Sequence, residues 1–317
     1  MAVIQQLRPT PSDEDRRHAI LAPFIHPVEV DALLHQQPIR LVDQRPPAEV
    51  FAEAQNRVAQ LPPYVAEAPA PLPADLGAAA QGIESRPVFQ REYAAKARVS
   101  FGVVPLRSLI TPQAVADLDY VDDLLYEVPH ADDADANFHF SFPAGSVPEP
   151  AVIGNTVMFT TFAPNLAVVP VPSYRTDADG FEIVVKVQPR PNYLYVATLR
   201  NTANRLLVAN GVHHVLALLK AGRTHAPALI CDAGGIEEIG LPPTTLLSQV
   251  GAPRPPLVAD FLEPVAIPVL RRRTAIAWRI AVQSDQLSFP VDRLTPEAAR
   301  RNDLGQGSLS HLPTVPA

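Results

Sequence analysis

Proline sets the tightest limit on what this chain can form. There are 36 prolines in 317 residues, roughly twice the usual share of about 5%. A proline ring fixes φ and removes a backbone donor, so it interrupts helices and central strands wherever it falls. Long regular elements are therefore excluded over most of the sequence, and short strands and helices joined by extended connections are expected. A core is still within reach, because 47% of residues are hydrophobic and 19% charged, unlike a disordered chain. The length accommodates two domains or one large decorated one.

The formal net charge of −7 disfavours nonspecific binding to DNA or RNA, which calls for a basic surface. The single cysteine, Cys231, excludes an intramolecular disulfide and a four-cysteine zinc site, and at the end of an apolar strand it reads as a buried, inert thiol. Met1–Ile4 is followed by Gln, Arg and Pro, so no signal-peptide pattern is seen, and no run of 18 apolar residues occurs. A cytoplasmic protein without a membrane partner is expected.

Read in order, the first stretch predicts a helix over Arg16–Leu21 behind the acidic turn Ser12–Asp15. A second starts at Pro27 with Val30, Leu33 and Leu34 on one face, and Ile39–Val42 reads as a short strand. Pro47 opens a helix in which Val50, Ala54, Val58 and Leu61 recur, ended by Pro62 and Pro63. Alternating Pro and Ala over 62–87 predict an extended strap that crosses a surface or is read by a proline-binding partner. Val99–Val104 is a strand. A helix follows with Val115, Leu118, Val121, Leu124 and Leu125 inward, and Asp117, Asp119, Asp122 and Asp123 make its other face acidic, either solvated or a dock for a basic partner.

Residues 129–150 read as irregular and acidic. Asp133, Asp135 and Asn137 match the opening of a calcium loop, but Phe138 and Ala144 stand where glycine and glutamate are required, so no metal site is assigned there or at the flanking His130 and His139. Strands are predicted over Val157–Phe162, Leu166–Val171, Glu182–Gln188 and Tyr193–Leu199, with turns at Asp177–Gly180 and Asn201–Asn204. Beyond Cys231 come Gly234-Gly235, helices within Pro242–Val250 and Arg254–Leu262, and a strand Thr274–Val282. Arg271–Arg273 before that strand either hold phosphate or close a sheet edge with charge. From Thr295 the tail is polar and loose, apart from one helical turn at Pro296–Arg301.

The most informative stretch is Arg205–Ile230. It reads as a strand (Arg205–Ala209), an Asn210-Gly211 turn, a helix (Val212–Ala221), a Gly222 stop and a second apolar run (Ala228–Cys231). The backbone amides that open such a helix face whatever lies above the turn, a place for a small anion or a polar chain end.

This succession resembles the ParB N-terminal and sulfiredoxin superfamily over residues 155–232, with Val99–Ile110 as the early strand and loop. The resemblance implies an α+β fold: a ParB/sulfiredoxin-like mixed-sheet core (99–232, with an acidic insertion at 127–150), a helical, Pro/Ala-rich N-terminal extension (1–98), a C-terminal helix-strand flap (233–294) and a loose tail (295–317). In those families the glycine turn and helix start cradle nucleotide phosphates. Gly211 matches the family glycine, and Ala217 matches the small residue that lets the helix pack on the sheet. Val212 stands where sulfiredoxins carry a reactive cysteine and ParB-type motifs a glutamate. His213 and His214 stand at two arginine positions. Histidine is mostly uncharged at neutral pH and shorter in reach than arginine, so the phosphate grip is weakened and the sulfur chemistry is absent.

Adjacent helical residues point about 100° apart, so His213 and His214 do not face one substrate together. They either bind a ligand or cap the helix and hydrogen-bond core carbonyls. The ligand-binding candidates are Asn210, Gly211, His213, His214, Arg200, Arg205 and His225; no catalytic residue, metal ligand or cofactor is assigned. The expected function is a non-catalytic binding or recruitment protein for a peptide or partner enzyme, as in a bacterial peptide natural-product pathway. The alternative is a nucleotide-binding ParB-like enzyme or switch in which Arg200 or Arg205 replaces the lost charge. A DNA-associated role is disfavoured by the acidic balance.

Overall fold

The computed structural model describes residues 2–6, 10–36, 39–93, 98–145, 149–153, 156–161, 166–168, 173–177, 180–184, 187–189 and 192–282. The fold is α+β, with helices and mixed sheets. The chain divides into two compact units. Ser12–Gly145 and Arg190–Arg273 form the larger, and Met1–Pro11, Ser146–Pro189 and Thr274–Ala317 form the smaller.

The larger unit is built on a five-stranded sheet in the order Arg205–Asn210, Tyr195–Leu199, His225–Ala233, Val99–Pro105, Ala70–Pro71. Tyr195–Leu199 runs parallel to His225–Ala233, and every other neighbouring pair is antiparallel. Strand alternation divides the apolar side chains between two faces. Leu194, Val196, Leu206, Val208, Ala226 and Ala228 pack on one side against the helix Val212–Lys220. Tyr193, Tyr195, Ala197, Leu199, Leu229 and Cys231 pack on the other with Phe89, Tyr93, Phe138 and Phe142. The helix Val212–Lys220 buries Val212, His214, Val215, Leu216, Ala217 and Leu218, and Gly222 ends it at φ +77°.

Short proline-flanked segments of the chain pair with part of the outer strands on both sides of this sheet. Ile110 N–H donates to Leu206 O at 2.8 Å and Ile110 O accepts from Val208 N–H at 2.9 Å, with Pro112 two residues on. At the other edge Ala70–Pro71 pairs with Gly102–Val103. A Cβ on Gly102 would lie 2.7 Å from Ile230 Cδ1 and 2.9 Å from Ala70 O, so glycine is what lets the strap approach. The strap is extended only up to this point. Beyond it, Ala74–Leu76 and Gly77–Glu84 are helical, because Leu76, Ala80 and Ile83 find an apolar cluster to enter.

Other expectations are corrected in the same way. Arg16–Leu21 is not helical: Thr10–Ile20 is a strand, and His18–Ile20 pairs with Val115–Asp117. Val115 is accordingly in a strand, and the helix is Leu118–Leu125, capped by Asp117, which accepts from Tyr120 N–H at 2.9 Å. Its acidic face is partnered from within the chain. Arg16 meets Asp117 and Asp123, Arg17 meets Asp119 and Asp122, and Lys220 also reaches Asp122. Residues 129–150 are not irregular throughout: Asp133 caps the helix Ala134–Ser141, which buries Phe138.

The two helices expected after Cys231 shrink to Thr245–Ser248 and a 3-10 turn at Val258–Leu262, and the following strand starts earlier, at Ile267, running through Arg271–Arg273 to Val282. The strands expected over 157–188 belong to the smaller unit, not to the core around Gly211. There Ser173–Asp177 pairs with Gly180–Val184, Leu166–Val168 with Val187–Pro189, and Thr156–Thr161 with both Ala151–Ile153 and Ile276–Ala281. The tail 295–317 and the tip of the turn at 178–179 lie outside the described residues.

Candidate functional site

Gly211 has φ +97°, a conformation that disfavours every residue with a Cβ. A Cβ there would sit 3.1 Å from Leu194 Cα, 3.2 Å from Leu194 Cδ1 and 3.4 Å from Tyr193 O. The close approach that needs glycine is therefore to the chain's own backbone. That backbone is itself fixed, since Leu194 N–H donates to Ser141 O at 2.8 Å and Leu194 O accepts from Leu229 N–H at 2.9 Å.

The two histidines after the turn diverge, as their helical spacing requires. His213 Nε2 accepts from the Asp117 backbone N–H at 3.1 Å, which places its proton on Nδ1. Its ring stands edge-on to Tyr120, 5.4 Å between centroids. Burial pushes the His213 pKa down, partly opposed by the Asp117 carboxylate. His213 thus satisfies an amide at the start of a neighbouring helix and holds that helix against its own. His214 points elsewhere. It is 3% exposed, its Nδ1 has no hydrogen-bond partner among the described residues, and its ring meets Phe140 at 5.3 Å. Burial, with the adjacent His213, pushes its pKa down to about 4.

His214 lines a recess of about 230 Å³ in the larger unit, together with Glu127, Pro129, His139, Phe140 and Pro143. Three segments build it: the turn that follows Leu118–Leu125, the helix Ala134–Ser141 and the helix Val212–Lys220. His139 Nδ1 lies 2.9 Å from Asp135 O. A carbonyl only accepts, so Nδ1 carries a proton, and the Asp135 carboxylate lies 3.4 Å from the same nitrogen. Glu127, an exposed residue, completes the lining. The arrangement is a largely apolar hollow with a buried imidazole on its wall. It suits holding a small group and supplies no nucleophile–base pair.

Arg200 and Arg205 are not part of it. Asn210 and Leu229 pair with Tyr195, whereas Arg205 and Ala233 pair with Leu199, so both arginines lie at the end of the sheet away from Gly211, about 16 Å distant at 3.3 Å per strand residue. Arg200 is ion-paired with Asp232 at 3.0 Å, and Arg98 joins the same carboxylate at 3.6 Å. Arg205 donates to Val250 O and Ala252 O, both at 2.5 Å, and stacks over Tyr64 at 4.9 Å. It bolts a surface turn to the sheet. His225 is exposed, its Nδ1 3.0 Å from Thr224 Oγ1, and it lies four strand residues before Leu229. Asn210 is half-buried in the ladder opposite Tyr195. Gly211, His213, His214 and Asn210 are therefore adjacent, and the other candidates are elsewhere. Glu127 and Phe140 were not picked out by sequence reasoning, and His139 was noted only beside a failed calcium motif. No local signal marks them, because only the packing of three distant segments brings them to His214.

Among the described residues no three His, Cys, Asp or Glu side chains converge as a metal site requires, and no helix is long and apolar enough to cross a membrane. Cys231 is buried in the aromatic cluster. Comparison with protein-family models, with curated proteins and with solved structures finds no match for this chain.

Proposed function

We propose that this protein is a non-catalytic binding or recruitment protein, cytoplasmic, built on a degenerate ParB/sulfiredoxin-like core, and that it holds a peptide or partner protein, as in a bacterial peptide natural-product pathway. One observation carries the reading: apart from His214, the turn glycine, histidine and arginines that a nucleotide site would use are engaged inside the chain. Gly211 packs on Leu194, His213 accepts from Asp117, and Arg205 and Arg200 serve Val250, Ala252 and Asp232 at the far end of the sheet. The order strand, glycine turn, helix, strand supports the core assignment. Peptide addition to the five-stranded sheet meets partial competition, since Ile110 bridges Leu207 and Ala70–Pro71 pairs with Gly102–Val103.

The test is calorimetry of the full chain with peptides and proteins encoded next to it, alongside thermal denaturation with ATP, CTP and GTP plus Mg²⁺. A bound partner and an unchanged melting temperature at millimolar nucleotide are expected. A nucleotide at about 100 times its Kd stabilises by about 2.7 kcal/mol, a shift of several degrees, and that outcome replaces this reading with the nucleotide-switch alternative.

A further inference from the structure

We propose that Asp117 is an acid-operated latch: neutral His213 holds the strand–helix junction at 115–120 to the helix Val212–Lys220, and a proton on His213 lets that junction go. The inference concerns regulation and does not depend on what the protein binds.

Several elements meet at this one aspartate. Its backbone N–H donates to His213 Nε2 at 3.1 Å. Its Oδ1 accepts from Tyr120 N–H at 2.9 Å and so caps Leu118–Leu125. Its Oδ2 meets Arg16 Nη1 at 3.3 Å and stands 3.8 Å from His18 Nε2. In the ladder between Val115–Asp117 and Thr10–Ile20 it pairs with His18. Of these contacts, the one with His213 alone requires an uncharged imidazole. A backbone amide only donates, so Nε2 must keep its lone pair. In the imidazolium both nitrogens are donors, and two N–H groups would face each other. The Asp117 carboxylate would attract the charged ring, but it already caps Leu118–Leu125 and pairs with Arg16, so taking that partner loosens the same junction.

The surrounding charges set the direction. From the junction, Asp117 favours a proton on His213, and Tyr120 meets the ring edge-on at 5.4 Å. From Thr10–Ile20, His18 disfavours it and Arg16 offsets Asp117. Arg271, on the strand Ile267–Val282, adds positive charge that acts on His18 and Asp117. On its own helix, His214 is the charged form's other neighbour, and Lys220 is paired with Asp122. Burial outweighs the pull of Asp117 and lowers the His213 pKa from 6.5. The bond is therefore whole at neutral pH and is lost as the pH falls through that lowered value. The opening is local, because Arg17 and Lys220 still hold Asp119 and Asp122, and Val121 and Leu124 stay buried.

The full chain is followed by NMR from about pH 7.5 to about pH 4.5. The Asp117 amide proton is expected to move upfield with the same midpoint as the His213 imidazole nitrogens. Its protection factor against hydrogen exchange should fall by about fivefold, which corresponds to one hydrogen bond of ordinary net strength. His213→Gln offers a carbonyl oxygen to the same amide and does not titrate, so Asp117 should stay protected throughout. His18→Gln should leave the Asp117 change in place. The Leu229 amide, which donates to Leu194 O inside the sheet, is the reference for global unfolding. Asp117 protection that stays constant while His213 titrates, a change that persists in His213→Gln, or one that His18→Gln abolishes overturns the proposal. So does a loss at Leu229 of the same size and midpoint as at Asp117. Should His213→Gln fail to fold, the coincidence of the Asp117 and His213 midpoints in the unaltered chain decides.

Discussion

Replacing Gly211 with alanine separates two explanations for that glycine, contact with the protein's own backbone or room for a ligand. The residue has φ +97°, and holding an L-residue in the left-handed region costs about 1–2 kcal/mol. The new methyl would also sit 3.1 Å from Leu194 Cα and 3.2 Å from Leu194 Cδ1. Leu194 cannot retreat cheaply, since it is fully buried and hydrogen-bonded through both N–H and C=O. Overpacking of such a site costs about 1–3 kcal/mol. Set against a few tenths of a kcal/mol of unfolded-state entropy, the expected loss is about 2–4 kcal/mol. Gly222 is the internal control: its φ is +77°, but nothing lies within 4 Å of the Cβ position, so Gly222→Ala should cost only about 1 kcal/mol of strain. Urea unfolding read by hydrogen exchange over 193–199 and 226–231 reports the right unit. Trp278 fluorescence does not, because that tryptophan belongs to the smaller one. Equal losses for the two variants would refute the Leu194 argument and return Gly211 to the role of a ligand-facing glycine.

Three further outcomes can be checked. Arg205→Ala removes charge-assisted bonds to Val250 O and Ala252 O and the stacking on Tyr64; it should cost about 2–3 kcal/mol and loosen hydrogen exchange first in 246–257. Burial lowers the folded pKa of His214 from 6.5 to about 4. The unfolded chain therefore binds a proton that the native one refuses, and stability should fall as pH drops from 6.5 to 4, by at most about 3 kcal/mol from this residue. His214→Leu should flatten that slope in urea midpoints measured across the window, leaving the smaller part due to the lowered His18 and His213. Arg17 is 58% exposed while bonding Asp119 and Asp122, so Arg17→Ala should cost under about 1 kcal/mol, an effect that thermal melts in high salt should erase.

The sequence by itself determined the grain of the fold. Its prolines keep many elements short, although Pro227 and Pro268 lie inside the strands His225–Ala233 and Ile267–Val282; Pro27 and Pro47 start helices where expected, and the Arg205–Cys231 stretch is strand, glycine turn, helix and strand. These features depend on φ preferences and side-chain spacing within a few residues, so they are legible locally. The mistaken elements share one cause. Ser12–Leu21 carries a helix-like acidic start, but pairing His18–Ile20 with Val115–Asp117 and setting Arg16 and Arg17 on four aspartates favours the strand. Tertiary structure alone decided the site. His213 finds its partner 96 residues away in sequence, and His214 meets Phe140, His139 and Glu127 only because two other segments pack beside its helix. Arg200 and Arg205 stand next to the motif in sequence yet lie at the far end of the sheet, because a strand carries each residue about 3.3 Å onward. Hydrogen-bond partners and cavity walls belong to the packing of remote segments, which no local pattern encodes.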